Sequence, residues 1–428
     1  MKPRGGEVKY HYSENMAANS LPLRGLRVLD FSRALAGPYC TLLLADQGAE
    51  VIKIEPPQGD ESRAWAPPHV RAGEAAVSSY FLGVNRNKRS LALDLGRPEG
   101  RDVARRLAAR ADVLVENFSP GVMARLELDE ARLRPLNPGL IYCSITAFGQ
   151  TGDWSRWKGY DLIVQAVSGL MEMTGFPDGP PTKVGIAIAD LAGGLHAAVG
   201  ILAALQARRD SSGPQPAAAG RRLDVALLDS IFGMMGTLAP AVLASGFKPP
   251  RLGNVHAQIT PYQEFAAADG RIVIAASNQD LWRRLCLALD CADWGESYAG
   301  NEARCRDRDT VTARLGEILR QRPAAEWLEK LRAAGVPAAP VMPLSEVLRQ
   351  PHVRQREMIQ TLEHPELGAF QTVASPLARG NTPDQPPPRL GEHGREILSE
   401  LGLSREAIDA LRAAGILLEP AAPAGKEI

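Results

Sequence analysis

The sequence predicts an α/β protein that has a large domain built on a parallel sheet and a second, smaller α/β domain. Two observations lead to this prediction. Between residues 26 and 149, short apolar runs alternate with segments of helical length, which is the pattern of βαβ units. Beyond residue 245 the pattern changes to hairpins and short amphipathic helices. A chain of 428 residues has room for two or three domains.

Five short apolar runs are the predicted strands of the large sheet. They are LRVLD (26–30), AEVIKIE (49–55), SLALDL (90–95), DVLVEN (112–117) and LIYCSITAFG (140–149). One intervening helix ends at Gly48, a residue that suits a C-cap, and another has Pro98 in its first turn. Residues 56–84 are less regular and are predicted as loop. Such a Rossmann-like sheet binds ligands beyond the carboxyl ends of its strands.

The second half of the chain begins with two long apolar helical segments, 161–175 and 190–209. Hairpins are predicted around Asp269-Gly270 and over residues 358–373. Two short helices are predicted near the C-terminus. The predicted domain organisation is a flexible N-terminal extension at 1–20, a large domain formed by 21–244 and 346–428, and a small domain at 245–345.

Charge and cysteine content exclude several classes of partner. The 49 basic and 49 acidic side chains balance, so neither nucleic acid nor a membrane surface is expected as a partner. We expect a cytoplasmic protein, since the sequence shows no signal peptide and no run of 18 apolar residues. The five cysteines lack the spacing of a zinc site, so reduced thiols and no metal are expected.

Several nucleotide and hydrolase motifs are missing. DFSRALAGP follows the first strand where a dinucleotide site would carry G-x-G-x-x-G. The sequence also lacks a P-loop, a G-x-S-x-G elbow and an H-E-x-x-H zinc motif. The sheet is therefore expected to bind a different kind of ligand.

Three segments together resemble the class III CoA-transferase family, which includes formyl-CoA transferase and carnitine CoA-transferase. They are LRVLDFSRALAGPYCTLLLADQGAEVIKIE (26–55), NRNKRSLALDL…PEG…ADVLVENFSPG (85–121) and PTKVGIAIADLAGGLHAAVGILAAL (181–205). The resemblance covers about residues 21–418. The runs VNRNK, YCSITAFGQTG, GYD…AVSGLM and PYQEF are similar to those of the branch that transfers CoA between succinate and glutarate.

The resemblance implies an enzyme that moves CoA from an acyl-CoA, such as succinyl-CoA, to a free carboxylic acid, with a dicarboxylic acid favoured as acceptor. It implies acyl-CoA and small carboxylic acids as partners, CoA thioesters as substrates and no tightly bound cofactor. It also implies an interlocked homodimer in which each chain threads through the other.

By the same resemblance the nucleophile is Asp190, which would form a mixed anhydride with the acyl group and then an aspartyl-CoA thioester. We expect Asp190 to be the N-cap of a helix, where the helix dipole stabilises a carboxylate. Gly193 and Gly194 would let a thioester approach the backbone. The alternative is that Asp190 serves only as a cap.

The resemblance also implies a set of CoA contacts around the crevice. These are Ala34, Leu35, Ala36, Leu93, Asn117, Phe118, Arg125, Lys158 and Tyr160. Formyl-CoA transferase has glutamine at the position of Leu35, so that side-chain role is lost here. Arg125 suits a phosphate, with a solvated surface arginine as the alternative. Lys53 and Lys88 are weaker candidates for the same role.

Five further residues are candidates for the substrate pocket. Arg86 would grip the distal carboxylate of a dicarboxylic acid, or else form a structural salt bridge. His256 lies in a polar loop and would line the site. Ser277, Asn278 and Gln279 stand where relatives carry a more glycine-rich loop.

Two other functions stay open at this point. An α-methylacyl-CoA racemase carries histidine at the position of Tyr160, and a tyrosine of ordinary pKa is a poor base near neutral pH. A non-catalytic acyl-CoA-binding protein would not need Asp190.

Overall fold

The computed structural model describes residues 21–66, 68–72, 75–209, 220–377 and 383–420. The predicted N-terminal extension at 1–20 lies outside these ranges. The strands of the described ranges, in chain order, are β1 (Arg27–Asp30), β2 (Glu50–Glu55), β3 (His69–Ala72), β4 (Ala75–Ser78), β5 (Lys88–Leu93), β6 (Val113–Glu116), β7 (Ile141–Thr146), β8 (Arg222–Ala226), β9 (Tyr262–Ala266), β10 (Arg271–Ala275), β11 (Ala338–Pro340), β12 (Ile359–His364), β13 (Gly368–Val373) and β14 (Leu417–Leu418).

Helices connect most of these strands. They are α1 (Ala36–Asp46), α2 (Ser79–Val84), α3 (Pro98–Ala108), α4 (Val122–Arg125), α5 (Glu130–Leu133), α6 (Asp161–Val167), α7 (Leu170–Met173), α8 (Ile188–Arg209), α9 (Leu227–Met234), α10 (Leu238–Ser245), α11 (Gln279–Ala288), α12 (Ala292–Ser297), α13 (Asn301–Arg306), α14 (Arg308–Leu319), α15 (Ala324–Ala333), α16 (Leu344–Val347), α17 (Pro351–Gln355), α18 (Gly394–Glu400) and α19 (Arg405–Ala413). Short 3-10 turns occur at Glu61–Arg63 and Asp153–Arg156.

A seven-stranded sheet forms the centre of the first compact unit, in the order β14-β5-β2-β1-β6-β7-β8. Six strands are parallel, and β14 pairs antiparallel with β5. The strand order changes direction between β1 and β6, because the chain runs outward to β5 and then crosses to the other side of β1. Crevices at such reversals, beyond the carboxyl ends of the strands, are the usual ligand sites of these sheets. The predicted α/β class with a mainly parallel sheet is confirmed.

Buried aliphatic side chains on the sheet and its helices form the core of this unit. Leu29, Leu91 and Leu114 are fully buried on three strands, and Leu107 of α3 and Ile397 of α18 pack with them. The long apolar runs of β1, β2 and β6 follow from burial on both faces, as parallel strands require.

Two short β elements differ from the sequence prediction. Residues 56–84, predicted as loop, contain the hairpin β3–β4 and helix α2. The C-terminal region, predicted as helices alone, adds β14 to the edge of the main sheet. These three strands are too short for an alternation pattern, and β14 depends on a distant partner, β5, for its hydrogen bonds.

Contacts divide the chain into two compact units. The first runs to Tyr160 and resumes over Ala189–Ser230 and from Glu357 onward, whereas the second comprises Asp161–Ile188 and Ile231–Arg356. The second unit is therefore wider than the predicted small domain at 245–345. Its additional helices α6, α7 and α10 are mainly apolar in sequence, so composition alone did not separate them from the helices of the large domain.

The second unit contains the antiparallel sheet β11-β10-β9. The predicted hairpin around Asp269-Gly270 is confirmed by the pairing of β9 with β10, and that over 358–373, in the first unit, by β12 with β13. Trp282, Leu315 and Leu331 from three helices are buried against the three-stranded sheet.

Helix α8 is the one single helix of the described ranges that is long and apolar enough to cross a membrane, and α9 with α10 would meet the same test as a pair bent by 84°. Half of the apolar window of α8 is buried within the protein. Core helices of globular proteins commonly share this composition.

Candidate functional site

The loop between β1 and α1 lies at the reversal of the strand order. It contains Ala34, whose φ of 62° places a non-glycine residue in the left-handed region. Such conformations are costly and persist where surrounding contacts hold them. Leu35 and Ala36, which follow, are buried. The three loop positions that the sequence assigns to CoA thus lie together at the carboxyl end of β1.

Asn117 ties this loop to the segment after β6. Its side-chain oxygen accepts from the Arg33 N–H at 2.8 Å, and its side-chain amide donates to the Arg33 carbonyl, also at 2.8 Å. The Phe118 ring lies 5.0 Å from the Arg33 guanidinium, in cation–π geometry. The two segments that the sequence predicts to meet at the crevice are therefore in direct contact.

Asp190 lies in the first turn of α8 and is half-buried. The expected position as N-cap is wrong, because the helix already begins at Ile188. The helix dipole still favours a carboxylate there, since the effect extends over the first turn.

The glycines after Asp190 serve close packing. A Cβ atom on Gly194 would lie 2.6 Å from the Ala36 carbonyl oxygen and 3.0 Å from Tyr39, and a Cβ atom on Gly193 would lie 2.3 Å from a methyl group of Leu227. These two glycines therefore face the protein interior, whereas the sequence-based expectation had a thioester approaching them. Their packing seats the start of α8 on the first turn of α1.

Two fully buried ion pairs lie beneath the loop. Lys53 Nζ is 2.9 Å from Asp60 Oδ2, and Lys88 Nζ is 3.0 Å from Asp30 Oδ2, with all four side chains at zero exposure. Lys53 also donates to the Ser32 carbonyl at 2.8 Å. Neither lysine is accessible to a phosphate, so the weaker sequence-based role of Lys53 and Lys88 is wrong.

The pKa values of these groups follow from burial and from their partners. Burial raises the pKa of Asp30, but Lys88, Lys53 and two hydroxyl donors outweigh it and lower the pKa to about 2. Burial lowers the pKa of Lys88 to about 8 despite Asp30. The Lys53 pKa is raised, since Asp30 and Asp60 outweigh the effect of its burial.

Arg86 is engaged within the chain. Its guanidinium forms a bidentate pair with the buried carboxylate of Asp46, through Nε at 3.1 Å and through Nη2. Asn87 donates to the same carboxylate at 2.8 Å. The structural salt bridge is thus the reading that the geometry supports, and the fork of Arg86 is not available to a substrate carboxylate.

The remaining predicted CoA contacts differ in their exposure. Leu93 is fully buried in the core and pairs with Leu417, so its side chain is inaccessible. Arg125, Lys158 and Tyr160 are exposed, Arg125 at the end of α4. Arg125 and its short helix follow Phe118 directly in the chain.

A polar cavity of about 220 Å³ lies against β6, β7 and β8. Glu116, Ser144, Tyr142 and Arg222 line it together with the loop that begins at Ser119. Burial raises the pKa of Glu116 to about 7, although a Ser144 hydrogen bond and the Phe118 N–H oppose this. Glu116 was missed from the sequence, although a glutamate at the end of an apolar strand is a signal for it.

An aromatic cluster follows β7 and was also missed. Trp154 and Trp157 stack with ring centres 4.8 Å apart, and the Phe148 ring meets both edge-on. Both tryptophans are exposed, at 41% and 51%. Their position, next to Lys158 in sequence, is the only signal that the sequence offers.

The substrate candidates of the second unit have internal partners. His256 Nδ1 accepts from the Gln258 N–H at 3.1 Å, and Asn278 caps α11 by accepting from the Leu281 N–H at 2.9 Å. Gln279 accepts from Arg304 at 2.9 Å. Ser277 is exposed.

No cluster of metal-ligating side chains occurs in the described ranges. The chemistry available at the start of α8 is that of a carboxylate in the first turn of a helix.

Comparison with known proteins shows the family of this chain. The model of CoA-transferase family III matches residues 23–394. Succinate–glutarate CoA-transferase of Agrobacterium fabrum is 40% identical over 389 residues, which are 89% of this chain and 96% of the relative. Succinyl-CoA:mesaconate CoA-transferase of Haloarcula marismortui is 41% identical over 390 residues, with the same shares of the two chains.

A solved structure agrees with the fold. The crystal structure of a CAIB/BAIF family protein from Brucella suis superposes with a TM-score of 0.79 at 37% identity, covering 90% of this chain and 100% of the other. The family that the three sequence segments indicated is therefore confirmed: the chain belongs to CoA-transferase family III and is an enzyme that transfers coenzyme A.

Proposed function

We propose that this enzyme moves CoA from succinyl-CoA, or a similar dicarboxyl-CoA, to a second dicarboxylic acid, with Asp190 as nucleophile. The observation that carries the proposal is the half-buried Asp190 in the first turn of α8, seated by Gly194 on the helix that follows the Ala34–Ala36 loop. The two relatives above are named for succinate, glutarate and mesaconate, which are all dicarboxylic acids.

The reaction requires a carboxylate that is held in place beside groups able to stabilise an oxyanion. Asp190 attacks the thioester carbonyl, so that a C–O bond forms, the C–S bond breaks, and a mixed anhydride and CoA thiolate result. The thiolate then attacks the Asp190 carbonyl, which gives an aspartyl-CoA thioester and releases the donor acid. In this proposal, free N–H groups of the first turn of α8 donate to the oxyanion of each step.

The second half of the reaction reverses these steps with the acceptor. The acceptor carboxylate attacks the aspartyl thioester and displaces CoA thiolate. The thiolate attacks the acceptor carbonyl of the new anhydride, and Asp190 leaves as a carboxylate. No redox change and no net proton transfer occur, so the residues of this chain need only bind, orient and stabilise negative charge.

CoA binds, in this proposal, along the loop of Ala34, Leu35 and Ala36 and across the segment that starts at Asn117. Leu93 is left out, since its side chain lies in the core. The same compact unit exposes two cations, Arg125 and Lys158, which suit phosphates. It also exposes the ring of Tyr160, which suits an adenine. Ser277 and His256 stay candidates for the acceptor pocket.

A homodimer in the cytoplasm completes the proposal. Leu195, Val199 and Leu202 form a stripe along α8 at helical spacing and are 41–64% exposed. A contiguous apolar stripe on a surface commonly marks an interface. We propose that a second copy of the chain covers it, as the family resemblance implies.

The first experiment incubates the pure protein with succinyl-CoA and a panel of mono- and dicarboxylic acids, and identifies new CoA thioesters by mass spectrometry. We expect new dicarboxyl-CoA products from the wild type and none from Asp190→Ala or Asp190→Asn, with both variants folded by circular dichroism. Products from a folded Asp190→Ala variant would show that the nucleophile is misassigned.

Isotope labelling tests the intermediates. If the acceptor carboxylate carries ¹⁸O, its bridging oxygen stays on Asp190 when CoA leaves with the acceptor acyl group. The peptide that contains Asp190 should therefore gain ¹⁸O during turnover. Turnover without label in this peptide would exclude the anhydride route. If no acid accepts CoA, deuterium exchange at the α-carbon of a branched acyl-CoA would indicate a racemase, and CoA binding without turnover a binding protein.

A further inference from the structure

Five consecutive backbone polar groups of the β1–α1 loop are held by side chains from other parts of the fold or from β1. The Ser32 N–H donates to Asp30 at 3.0 Å, and the Ser32 carbonyl accepts from Lys53 at 2.8 Å. Both backbone groups of Arg33 bond to the Asn117 side chain, and the Ala34 N–H donates to Asp60 at 3.3 Å. Loop backbone is usually solvated, so such complete side-chain support is unusual.

The support comes from groups that are expensive to bury. Lys53 and Asp60 have no exposed side-chain area, and a buried ion pair commonly adds little to stability compared with apolar side chains of similar size. Asp60 is further fixed by the Ser62 N–H at 2.9 Å, and its backbone N–H donates to Glu55 at 3.1 Å. These hydrogen bonds fix the position of the pair. Lys53 donates to the Ser32 carbonyl and Asp60 accepts from the Ala34 N–H, so each end of the Ser32–Ala34 segment has one contact with the pair.

The loop is continuous with the helix that supports the nucleophile. Ala34 leads at φ 62° into α1, whose first residue is Ala36. The Ala36 carbonyl lies against Gly194, one turn beyond Asp190 on α8. A shift of the loop would thus move the proposed CoA contacts and also the Ala36 carbonyl against which Gly194 of α8 packs.

We infer that Lys53 and Asp60 are positioning residues for transfer: their buried ion pair holds the Ser32–Ala34 backbone, with Ala34 in its left-handed conformation, in the arrangement that receives the acyl-CoA donor. This inference rests on the proposed function, since it assigns the loop to CoA. In that assignment the loop contacts the CoA part of the donor and not the acceptor acid, so the pair should affect donor binding selectively.

The test compares Lys53→Met, Asp60→Asn and the double variant Lys53→Met/Asp60→Leu with the wild type. We expect KM for succinyl-CoA to rise about tenfold or more in Lys53→Met, with kcat and the KM of the acceptor within about threefold. The double variant removes both charges and is expected to regain stability but not the donor KM. Asp60→Asn keeps the side-chain volume but removes the charge. If Lys53→Met does not fold, the donor KM of Asp60→Asn is measured in its place and is expected to rise.

A matched control is the ion pair of Arg208 with Asp112, at 2.6 Å, which joins the end of α8 to the amino end of β6. Arg208→Met should lower the melting temperature without changing the donor KM. Hydrogen exchange of the peptide covering residues 32–41 gives a readout independent of turnover, and it should quicken in Lys53→Met but not in Arg208→Met.

The outcomes distinguish failure of the proposed function from failure of the role inferred for Lys53. A wild type that transfers no CoA would overturn the proposed function, while the exchange of residues 32–41 would still decide whether Lys53 positions the loop. A folded Lys53→Met variant with an unchanged donor KM, or with unchanged exchange in this peptide, would overturn the inference. An equal loss in Arg208→Met would show that the effect is general destabilisation, which overturns it as well.

Discussion

Gly194 of α8 and Ala36 of α1 are in backbone-to-backbone contact, so close that a Cβ atom on Gly194 would stand 2.6 Å from the Ala36 carbonyl oxygen. The contact joins the helix that carries Asp190 to the helix that follows the proposed CoA loop. Since neither backbone can yield as a side chain would, the distance between the nucleophile and the loop depends on a residue without a side chain at position 194.

Gly194→Ala is therefore expected to damage both stability and activity. The added methyl group forces α1 and α8 apart, at a cost of about 1–3 kcal/mol that outweighs the helix propensity gained by alanine. The free energy of unfolding from urea titrations and kcat/KM for succinyl-CoA measure the two effects.

Gly200 supplies a control on the same helix. A Cβ atom there would lie 3.5 Å from a Leu223 methyl group, which is ordinary contact. Gly200→Ala should thus be neutral or stabilise the protein by up to about 1 kcal/mol, with activity unchanged. Equal changes in stability and activity in Gly194→Ala and Gly200→Ala would contradict a special role for the close contact of Gly194 with Ala36.

Arg86→Ala should lower stability without altering the choice between dicarboxylic and monocarboxylic acids. The substitution leaves the Asp46 carboxylate buried with Asn87 as a remaining donor, at a cost of about 3 kcal/mol. Adding Asp46→Leu to Arg86→Met should recover part of this loss, because the unpaired charge is gone.

The measurement is the ratio of kcat/KM for a dicarboxylic and a matched monocarboxylic acceptor, with stability followed in parallel. A folded Arg86→Ala variant that loses this selectivity would restore the direct role in substrate binding that the sequence suggested.

Local patterns predicted the parallel sheet well. An apolar run was found at each of the strands β1, β2, β5, β6 and β7. Strands buried on both faces are apolar along their whole length, so composition alone indicates them. The hairpin β9–β10 was equally clear from Asp269-Gly270. These features depend on neighbours in sequence, so the sequence alone sufficed.

Long-range pairing was not predictable in the same way. Lys88 finds Asp30 across 58 positions, and Arg86 finds Asp46 across 40, so basic residues that suggested anion binding prove to be internal ion pairs. The start of α8, two residues before Asp190, was mispredicted because no strong capping residue marks it in the sequence. A lysine inside the apolar strand EVIKIE was the one local sign of a buried charge partner.

Val199→Glu should hinder assembly of the proposed homodimer as the chains fold, so that monomers accumulate. Val199 lies at the centre of the exposed stripe on α8 and is 64% exposed in the single chain, so a charge there costs nothing to the monomer but would be buried unpaired in a dimer. Light scattering coupled to size-exclusion chromatography gives the mass directly. Leu136→Glu, at a separate exposed leucine, is the control and should leave the mass unchanged. A dimer in the Val199→Glu variant would show that the second copy binds elsewhere.

Glu116→Gln should change how stability depends on pH. Burial raises the pKa of Glu116 from 4.5 to about 7 in the folded protein, so the native state holds the proton more tightly than the unfolded chain does. The stability contributed by this proton is complete below pH 4.5 and is lost as the pH rises through about 7. Glutamine stays neutral and can still accept from the Phe118 N–H, so it loses nothing over the same range.

The difference in the free energy of unfolding between Glu116→Gln and wild type should therefore be near zero at about pH 4.5 and grow in favour of the variant to at most about 3 kcal/mol at about pH 8. Urea unfolding at several pH values measures it, and Glu363→Gln, at an exposed glutamate, should show no such trend. A constant difference across this range would mean that the pKa of Glu116 is the same in the folded and the unfolded protein, with Arg222 of the same cavity as the cation that offsets the effect of burial.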